Sequence, residues 1–112
     1  MGKVKLIKLP KYINSNIKNK IKAKNPINRE GATPYTYKEV QKYTRMYVSG
    51  YTPEVIGEYY DVPRHRVYNG IREGSISWTR GFAKLRALNA KKRKMGHKLV
   101  GVEEFFDNNM HL

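Results

Sequence analysis

The sequence predicts an all-α fold: a small helical domain with a basic flexible N-terminal arm and a basic C-terminal helix. Apolar residues recur at helical spacing from Val40 onwards. Helix-start signals precede two of the periodic segments, at Thr36 and at Thr52-Pro53. A chain of 112 residues is long enough for one modest core. We predict an arm over residues 1–34, a helical domain over 35–95 and an acidic-aromatic tail over 96–112.

The N-terminal arm is defined by its charge. Residues 1–29 hold nine Lys and Arg and no acid. The apolar residues are sparse and show no sustained helical period, so like-charge repulsion and poor burial predict a segment that is flexible when free. Because all of the charges are positive, contact with phosphate is favoured. The candidate residues for this contact are Lys3, Lys5, Lys8, Lys11, Lys18, Lys20, Lys22, Lys24 and Arg29.

The first predicted helix begins near Thr36 and ends at Gly50. Thr36 and Glu39 stand at capping-box spacing, in which the hydroxyl accepts from the third amide and the carboxylate reaches back. Val40, Tyr43 and Tyr47 recur on one face, which indicates a core contact.

Two short helices joined by a tight turn are predicted next. Thr52 is a suitable N-cap and Pro53 suits the first helical position; the buried face is expected to include Val55, Ile56 and either Tyr59 or Tyr60. The turn is Asp-Val-Pro, residues 61–63, because Pro63 disfavours helix at the residue before it. Val62 of the turn and Val67 and Ile71 of the following helix lie on one side, and the other side carries Arg64, His65, Tyr68, Asn69 and Arg72.

A fourth helix is predicted from about Arg80 to Lys94, capped by Ser77 or Thr79 and anchored to the core by Trp78. Its apolar stripe is narrow, formed by Phe82, Leu85 and Leu88 or Asn89. The rest of its surface is basic and adds phosphate-contact candidates: Lys84, Arg86, Lys91, Lys92, Arg93 and Lys94.

The tail reverses the sign of the charge, and periodicity does not decide its structure. It carries Glu103, Glu104 and Asp107 together with Phe105 and Phe106. One interpretation is that the acids are attracted to residues 91–94 and compete with phosphate. The other is that the two Phe side chains pack into the core or against a protein partner.

Residues 52–71, with the continuation to Trp78, resemble the helix-turn-helix family. That family has a small residue within its first helix, where Gly57 stands, and apolar residues at the positions of Ile56 and Tyr60. Val62, Val67 and Ile71 match the turn and core positions of the second helix. Two positions depart from the pattern: Asp61 stands where the turn usually has Gly, and Gly70 lies inside the second helix. The segment is similar to small modules of bacteriophage proteins, including those that accompany phage homing endonucleases.

The resemblance implies that the second helix lies in the DNA major groove. On this basis the base-reading candidates are Arg64, His65, Tyr68 and Asn69, while Arg66 and Arg72 are candidates for phosphate. Arg suits bidentate recognition of guanine and Asn suits adenine.

Composition favours a nucleic-acid partner and argues against several other classes. The net charge is +14, from 23 Lys and Arg against 9 Asp and Glu. No apolar run approaches the length of a membrane span, the N-terminus lacks a signal-peptide apolar region, and the chain contains no Cys. We therefore expect a cytoplasmic protein, in the host cytoplasm or nucleoid if phage-encoded. His65, His97 and His111 are scattered, so neither a metal site nor a cofactor is expected. No nuclease, nucleotide-binding or nucleophile motif is present, which favours a binding module over an enzyme.

Three functions remain open from the sequence. Duplex DNA binding in transcription regulation, or in another phage or mobile-element DNA function, is favoured. The second is RNA or ribosome binding, because Lys/Asn-rich arms with Tyr are similar to ribosomal-protein extensions. The third is a phage factor that binds host transcription machinery, with the tail as its contact.

Overall fold

The computed structural model describes residues 5–24, 35–75 and 78–109, and within these ranges the chain is all α-helical. The helices are α1 (Lys11–Lys24), α2 (Tyr37–Val48), α3 (Pro53–Tyr60), α4 (Arg64–Gly74), α5 (Thr79–Lys94) and α6 (Val102–Asn109). The predicted all-α fold class is confirmed. Among the described residues, none of the helices is long and apolar enough to cross a membrane.

The described part of the N-terminal segment differs from the flexible arm predicted over residues 1–34. Residues 11–24 form α1, and Ile13, Ile17 and Ile21 are buried in the main core cluster together with Val40 and Phe82. The three Ile are four residues apart, so they share one face of the helix. One apolar residue per turn is enough because α1 packs on both α2 and α4. Lys3 and Arg29 lie outside the described residues.

Residues 5–9, which precede α1, have no regular secondary structure but also pack against the domain. The Ile7 amide donates to Ser49 Oγ at 2.9 Å, and Arg45 Nε donates to the Ile7 carbonyl at 2.8 Å. Leu9 and Ile7 contact the main cluster, and Leu6 contacts the second one. The folded unit therefore includes this segment and α1, rather than beginning at residue 35.

The central helices begin where their caps were predicted. Thr36 Oγ1 accepts from the Glu39 amide at 3.1 Å, and Thr52 Oγ1 accepts from the Val55 amide at 3.3 Å, with Pro53 as the first residue of α3. In α3 the buried side chain is Ile56, and Tyr60 is half-buried. Val55, which was expected in the core, is exposed because it lies on the outer side of α3 with Tyr59.

Helix α5 buries Phe82, Leu85 and also Asn89, a polar residue. Asn89 Nδ2 donates to the carbonyls of Val48 (2.7 Å) and Val100 (2.9 Å), and the Val100 amide donates to Asn89 Oδ1 at 2.7 Å. These bonds satisfy the buried amide and tie the end of α2, α5 and the chain before α6 together. Trp78 occupies the N-cap position without a side-chain cap bond, so the predicted cap by Thr79 does not form; Ser77 lies outside the described residues.

The tail is folded as α6, and the structure favours the packing interpretation. Val102 and Phe105 are buried in the main cluster. The Phe106 ring packs edge-on to Trp78, with centroids 5.2 Å apart. The aromatic side chains proposed for contact with a protein partner are thus used inside the domain. The acidic side chains Glu103, Glu104 and Asp107 stay exposed.

Candidate nucleic-acid interface

The exposed face of α4 collects the four residues predicted to read bases, together with Arg72, which was predicted to contact phosphate. Arg64, His65, Tyr68, Asn69 and Arg72 are all exposed. They recur at i, i+1, i+4, i+5 and i+8, which places them on one side of the helix. The opposite side is held in the second core cluster by Val67 and Ile71, as predicted.

A close approach at Gly57 fixes α4 against α3. A Cβ built on Gly57 would lie 2.6 Å from the Val62 carbonyl oxygen, so the turn passes where any side chain would stand. The Val62 amide donates to the Gly57 carbonyl at 2.9 Å, and Asp61 adopts the left-handed conformation (φ 57°, ψ 51°) that ends α3. Asp is among the non-Gly residues that tolerate this conformation best. The two predicted short helices and the tight turn between them are therefore present.

Gly70, which lies inside α4, makes room for an aromatic ring. Its Cβ would lie 3.1 Å from the Tyr35 ring, and 3.6 Å from the ring of Tyr43. The glycine does not break α4, which continues to Gly74. It lets Tyr35 lie against the buried side of the helix.

Arg66 is held by the domain rather than presented with the exposed face. Its Nε and Nη2 donate to the two carboxylate oxygens of Glu39 at 2.6 and 2.9 Å, and its guanidinium lies 4.6 Å from the Tyr35 ring centroid. Glu39 also accepts from the Tyr43 hydroxyl at 2.7 Å. Arg66 would have to leave this bidentate pair to reach a phosphate, so the geometry disfavours the phosphate role predicted for it.

The pKa values of this network follow from the same contacts. Burial acts to raise the pKa of Glu39 and is the largest single effect, but the hydrogen bonds from Arg66 and Tyr43, with the Arg66 charge, outweigh it and hold the pKa below 4.5. Burial, and then the hydrogen bond to Glu39, raise the pKa of Tyr43. The hydrogen bond to Glu39 raises the pKa of Arg66. Glu39 is thus ionised and Arg66 charged at neutral pH.

Arg64 has a weaker partner. Its Nε lies 3.3 Å from Glu54 Oε1, and the two side chains are 61% and 70% exposed. An exposed ion pair of this kind contributes little and is screened by salt. Arg64 can therefore exchange Glu54 for an external acceptor at small cost.

Apart from Arg66 and Arg72, the described cations predicted to contact phosphate lie outside α4. Lys5 and Lys8 lie in residues 5–9, and Lys11, Lys18, Lys20, Lys22 and Lys24 lie on α1. Lys84, Arg86, Lys91, Lys92, Arg93 and Lys94 lie on α5, which packs mainly against α2 and α6. Some of these cations lie over aromatic rings of the domain. Lys18 Nζ is 5.3 Å from the centroid of the Tyr37 ring, and the Arg86 guanidinium carbon is 5.7 Å from that of Tyr47.

A basic surface on α2 was missed by the sequence analysis. An open pocket is lined by the cations Lys8, Lys38, Lys42 and Arg45, with Leu9, Asn14 and Gln41. Lys38, Lys42 and Arg45 stand at i, i+4 and i+7, so helical periodicity alone identifies them as one stripe. They were overlooked because the acids elsewhere in residues 30–73 make the central segment mixed in sign.

In comparisons with known proteins, no family model, no curated protein and no solved structure matches the chain. Among the described residues, no group of three or more His, Asp and Glu is arranged to hold a metal ion. The assignment of a role to the α4 face therefore depends on its geometry and chemistry alone.

Proposed function

We propose that the protein binds duplex DNA by laying α4 in the major groove, in transcription regulation or another DNA-directed function of a phage or mobile element. The observation that carries the proposal is the exposed face of α4. It joins two Arg, one His, one Tyr and one Asn on a helix that the Gly57 contact and the Arg66–Glu39 pair hold against the domain. The major groove, about 12 Å wide, admits one α-helix.

The side chains on this face suit recognition of base edges. Arg64 and Arg72 can each give two hydrogen bonds to guanine, and Asn69 can pair with adenine through its amide. Tyr68 is 42% exposed and offers an apolar surface with a hydroxyl at its end. The net charge of +14 supplies a sequence-independent attraction to phosphate.

Selection from random-sequence duplex DNA, followed by variants of the α4 face, tests the proposal. Asn69→Ala should relax discrimination at one base pair by about 1–3 kcal/mol. Tyr68→Ala and Arg64→Ala should also change the preference profile. Tyr59→Ala and Arg80→Ala are matched controls because they remove an exposed Tyr from α3 and an exposed Arg from α5. Base reading by this helix would be refuted if the selection enriches no sequence, or if every α4 variant keeps the sequence preference of the wild type.

RNA binding is the second candidate, and the distribution of cations supports it. Basic residues are present in residues 5–9 and on α1, α2 and α5 as well as on α4. Recognition of RNA shape uses contacts to phosphate and 2′-hydroxyl groups from several sides. Asn69→Ala and two variants of the α2 surface separate the two functions. A preference for structured RNA that survives Asn69→Ala, but weakens with Lys38→Ala and Lys42→Ala, would select RNA.

A further inference from the structure

A second basic pocket lies at the C-terminal end of α5, where Lys5 forms part of its lining. It is open to solvent, and its lining includes four basic side chains and no acid: Lys5, Arg93, His97 and Lys98, with Tyr51, Gly96 and Leu99. His97 and Lys98 were not among the predicted phosphate contacts. The basic residues come from three parts of the chain: residues 5–9, the last turn of α5 and the loop after it.

Arg93 is held in place within this pocket. Its Nη2 donates to the Gly50 carbonyl at 2.8 Å, and its guanidinium lies 3.9 Å from the centroid of the Tyr51 ring. A guanidinium has five N–H donors, so the Gly50 carbonyl leaves others for an external acceptor. Because two contacts already fix the side chain, little conformational entropy remains to be lost when a ligand binds.

The helix C-terminus alone does not explain this cluster. Cations in the last turn of a helix are favoured by the exposed carbonyls, which accounts for residues 91–94. Here, however, the amides of Gly96 and His97 donate to the carbonyls of Arg93 and Lys92, with Gly96 at φ 73°. This Schellman closure satisfies the carbonyls that would repel an anion. Lys5 and Lys98 lie outside the helix, so the helix dipole gives no reason for their convergence.

We propose that this pocket binds a phosphate group. A tetrahedral dianion or a backbone phosphodiester would neutralise the like charges of Lys5, Arg93 and Lys98 and accept from the fixed guanidinium. Where the phosphate belongs to bound duplex DNA, the inference rests on the proposed function, and the pocket adds a contact to the DNA backbone that is distinct from α4. Free phosphate or a mononucleotide would use the same chemistry.

The test begins with inorganic phosphate on the full chain, without DNA. Phosphate should shift the amide resonances of Gly96, His97 and Lys98 saturably, and Lys98→Ala and Lys5→Ala should weaken this response. Both side chains are exposed, so the melting temperature should not change. Arg80→Ala is the matched control, because it removes one exposed cation from the N-terminal end of α5, about 20 Å from Arg93 along that helix.

The second arm measures affinity for duplex DNA at 50 and 200 mM salt. Loss of one phosphate contact lowers the log–log salt slope by about 0.9, so the affinity lost in Lys98→Ala should be about 3.5-fold larger at the lower salt. Arg80→Ala should lose less than Lys98→Ala at both salts. If phosphate shifts the amide resonances but Lys98→Ala leaves the salt slope of duplex binding unchanged, the pocket is a phosphate site whose ligand is free phosphate or a mononucleotide.

The two proposals fail separately. Absence of a phosphate response, with an unchanged duplex slope while Asn69→Ala still alters base preference, would overturn the pocket and leave the function of α4 standing. A phosphate response without any duplex binding would refute the proposed function and leave the pocket.

Discussion

Replacing Glu39 by Gln tests whether the Arg66 pair holds α4 in position. Three donors converge on the carboxylate: Arg66 Nε and the Tyr43 hydroxyl on one oxygen, and Arg66 Nη2 on the other. Gln has a single acceptor oxygen and an NH2 group of nearly the same shape. In either orientation the NH2 group meets a donor, so at least one of the three bonds is lost together with the negative charge.

The expected cost follows from the burial of the pair. The side chains of Arg66 and Glu39 are only 22% and 17% exposed, so water replaces the lost partner poorly. A hydrogen bond to a charged group contributes about 1.5–3 kcal/mol. We expect Glu39→Gln to lower the free energy of unfolding by about 2 kcal/mol. For a chain of this size that corresponds to a melting temperature about 8 °C lower.

The loss of stability caused by Glu39→Gln should also depend on pH. The folded-state pKa of Glu39 lies below its ordinary value, so the ionised carboxylate stabilises the fold above the unfolded-state pKa. That stability is lost as the pH falls through the folded-state pKa. Since protonated Glu39 resembles Gln, the difference between wild type and Glu39→Gln should be full at pH 7 and narrow below about pH 4.

Urea unfolding at a series of pH values measures both quantities. Glu54→Gln is the matched control, because Glu54 is also in the first turn of its helix and pairs with an Arg of α4, but at the surface. It should change the free energy of unfolding by no more than about 0.5 kcal/mol. Wild-type stability of Glu39→Gln at pH 7, or a deficit that stays constant to pH 3, would show that the pair does not hold α4.

Three further predictions concern packing, and each is measured by thermal or urea unfolding. Ile17→Ala should destabilise by about 2–5 kcal/mol because the side chain is fully enclosed; a stable variant would mean that α1 detaches in solution. Gly57→Ala should destabilise by about 1–3 kcal/mol through its clash with a backbone carbonyl, whereas Gly101→Ala, with open space around its Cβ, should not; equal stability of the two would contradict the close approach of α3 and the turn. Truncation after residue 101 should lower the melting temperature because Val102 and Phe105 leave the core; unchanged melting with tighter nucleic-acid binding would instead favour an inhibitory tail.

The central helices were predictable because their signals are local. The Thr36 and Thr52 caps act on amides three residues away, and Pro63 sets the turn through its own neighbours. The exposed and buried sides of α4 follow from a period of 3.6 residues once Val67 and Ile71 are recognised as core. These features needed no knowledge of what the helices pack against.

Helices α1 and α6 were not predictable in the same way because their stability comes from distant partners. In α1 the apolar residues are three Ile among many Lys and Asn, and an isolated helix of this composition would gain little. The helix is stabilised because Ile17 is buried where α1 packs against α2 and α4. Likewise, the Phe side chains of α6 needed the surface formed by Trp78 and Phe82, more than 20 residues earlier in the chain.

Arg66 shows why a candidate interface cannot be read from residue types alone. In the sequence Arg64, Arg66 and Arg72 are equivalent donors for guanine or phosphate. Successive residues of a helix are about 100° apart, so Arg66 points away from the side shared by Arg64 and Arg72. Periodicity therefore separates Arg66 from the other two, but it cannot identify Glu39, 27 residues away, as the partner. That pairing fixes the rotation of α4 about its own axis, and the rotation determines which side chains the helix offers to a nucleic acid.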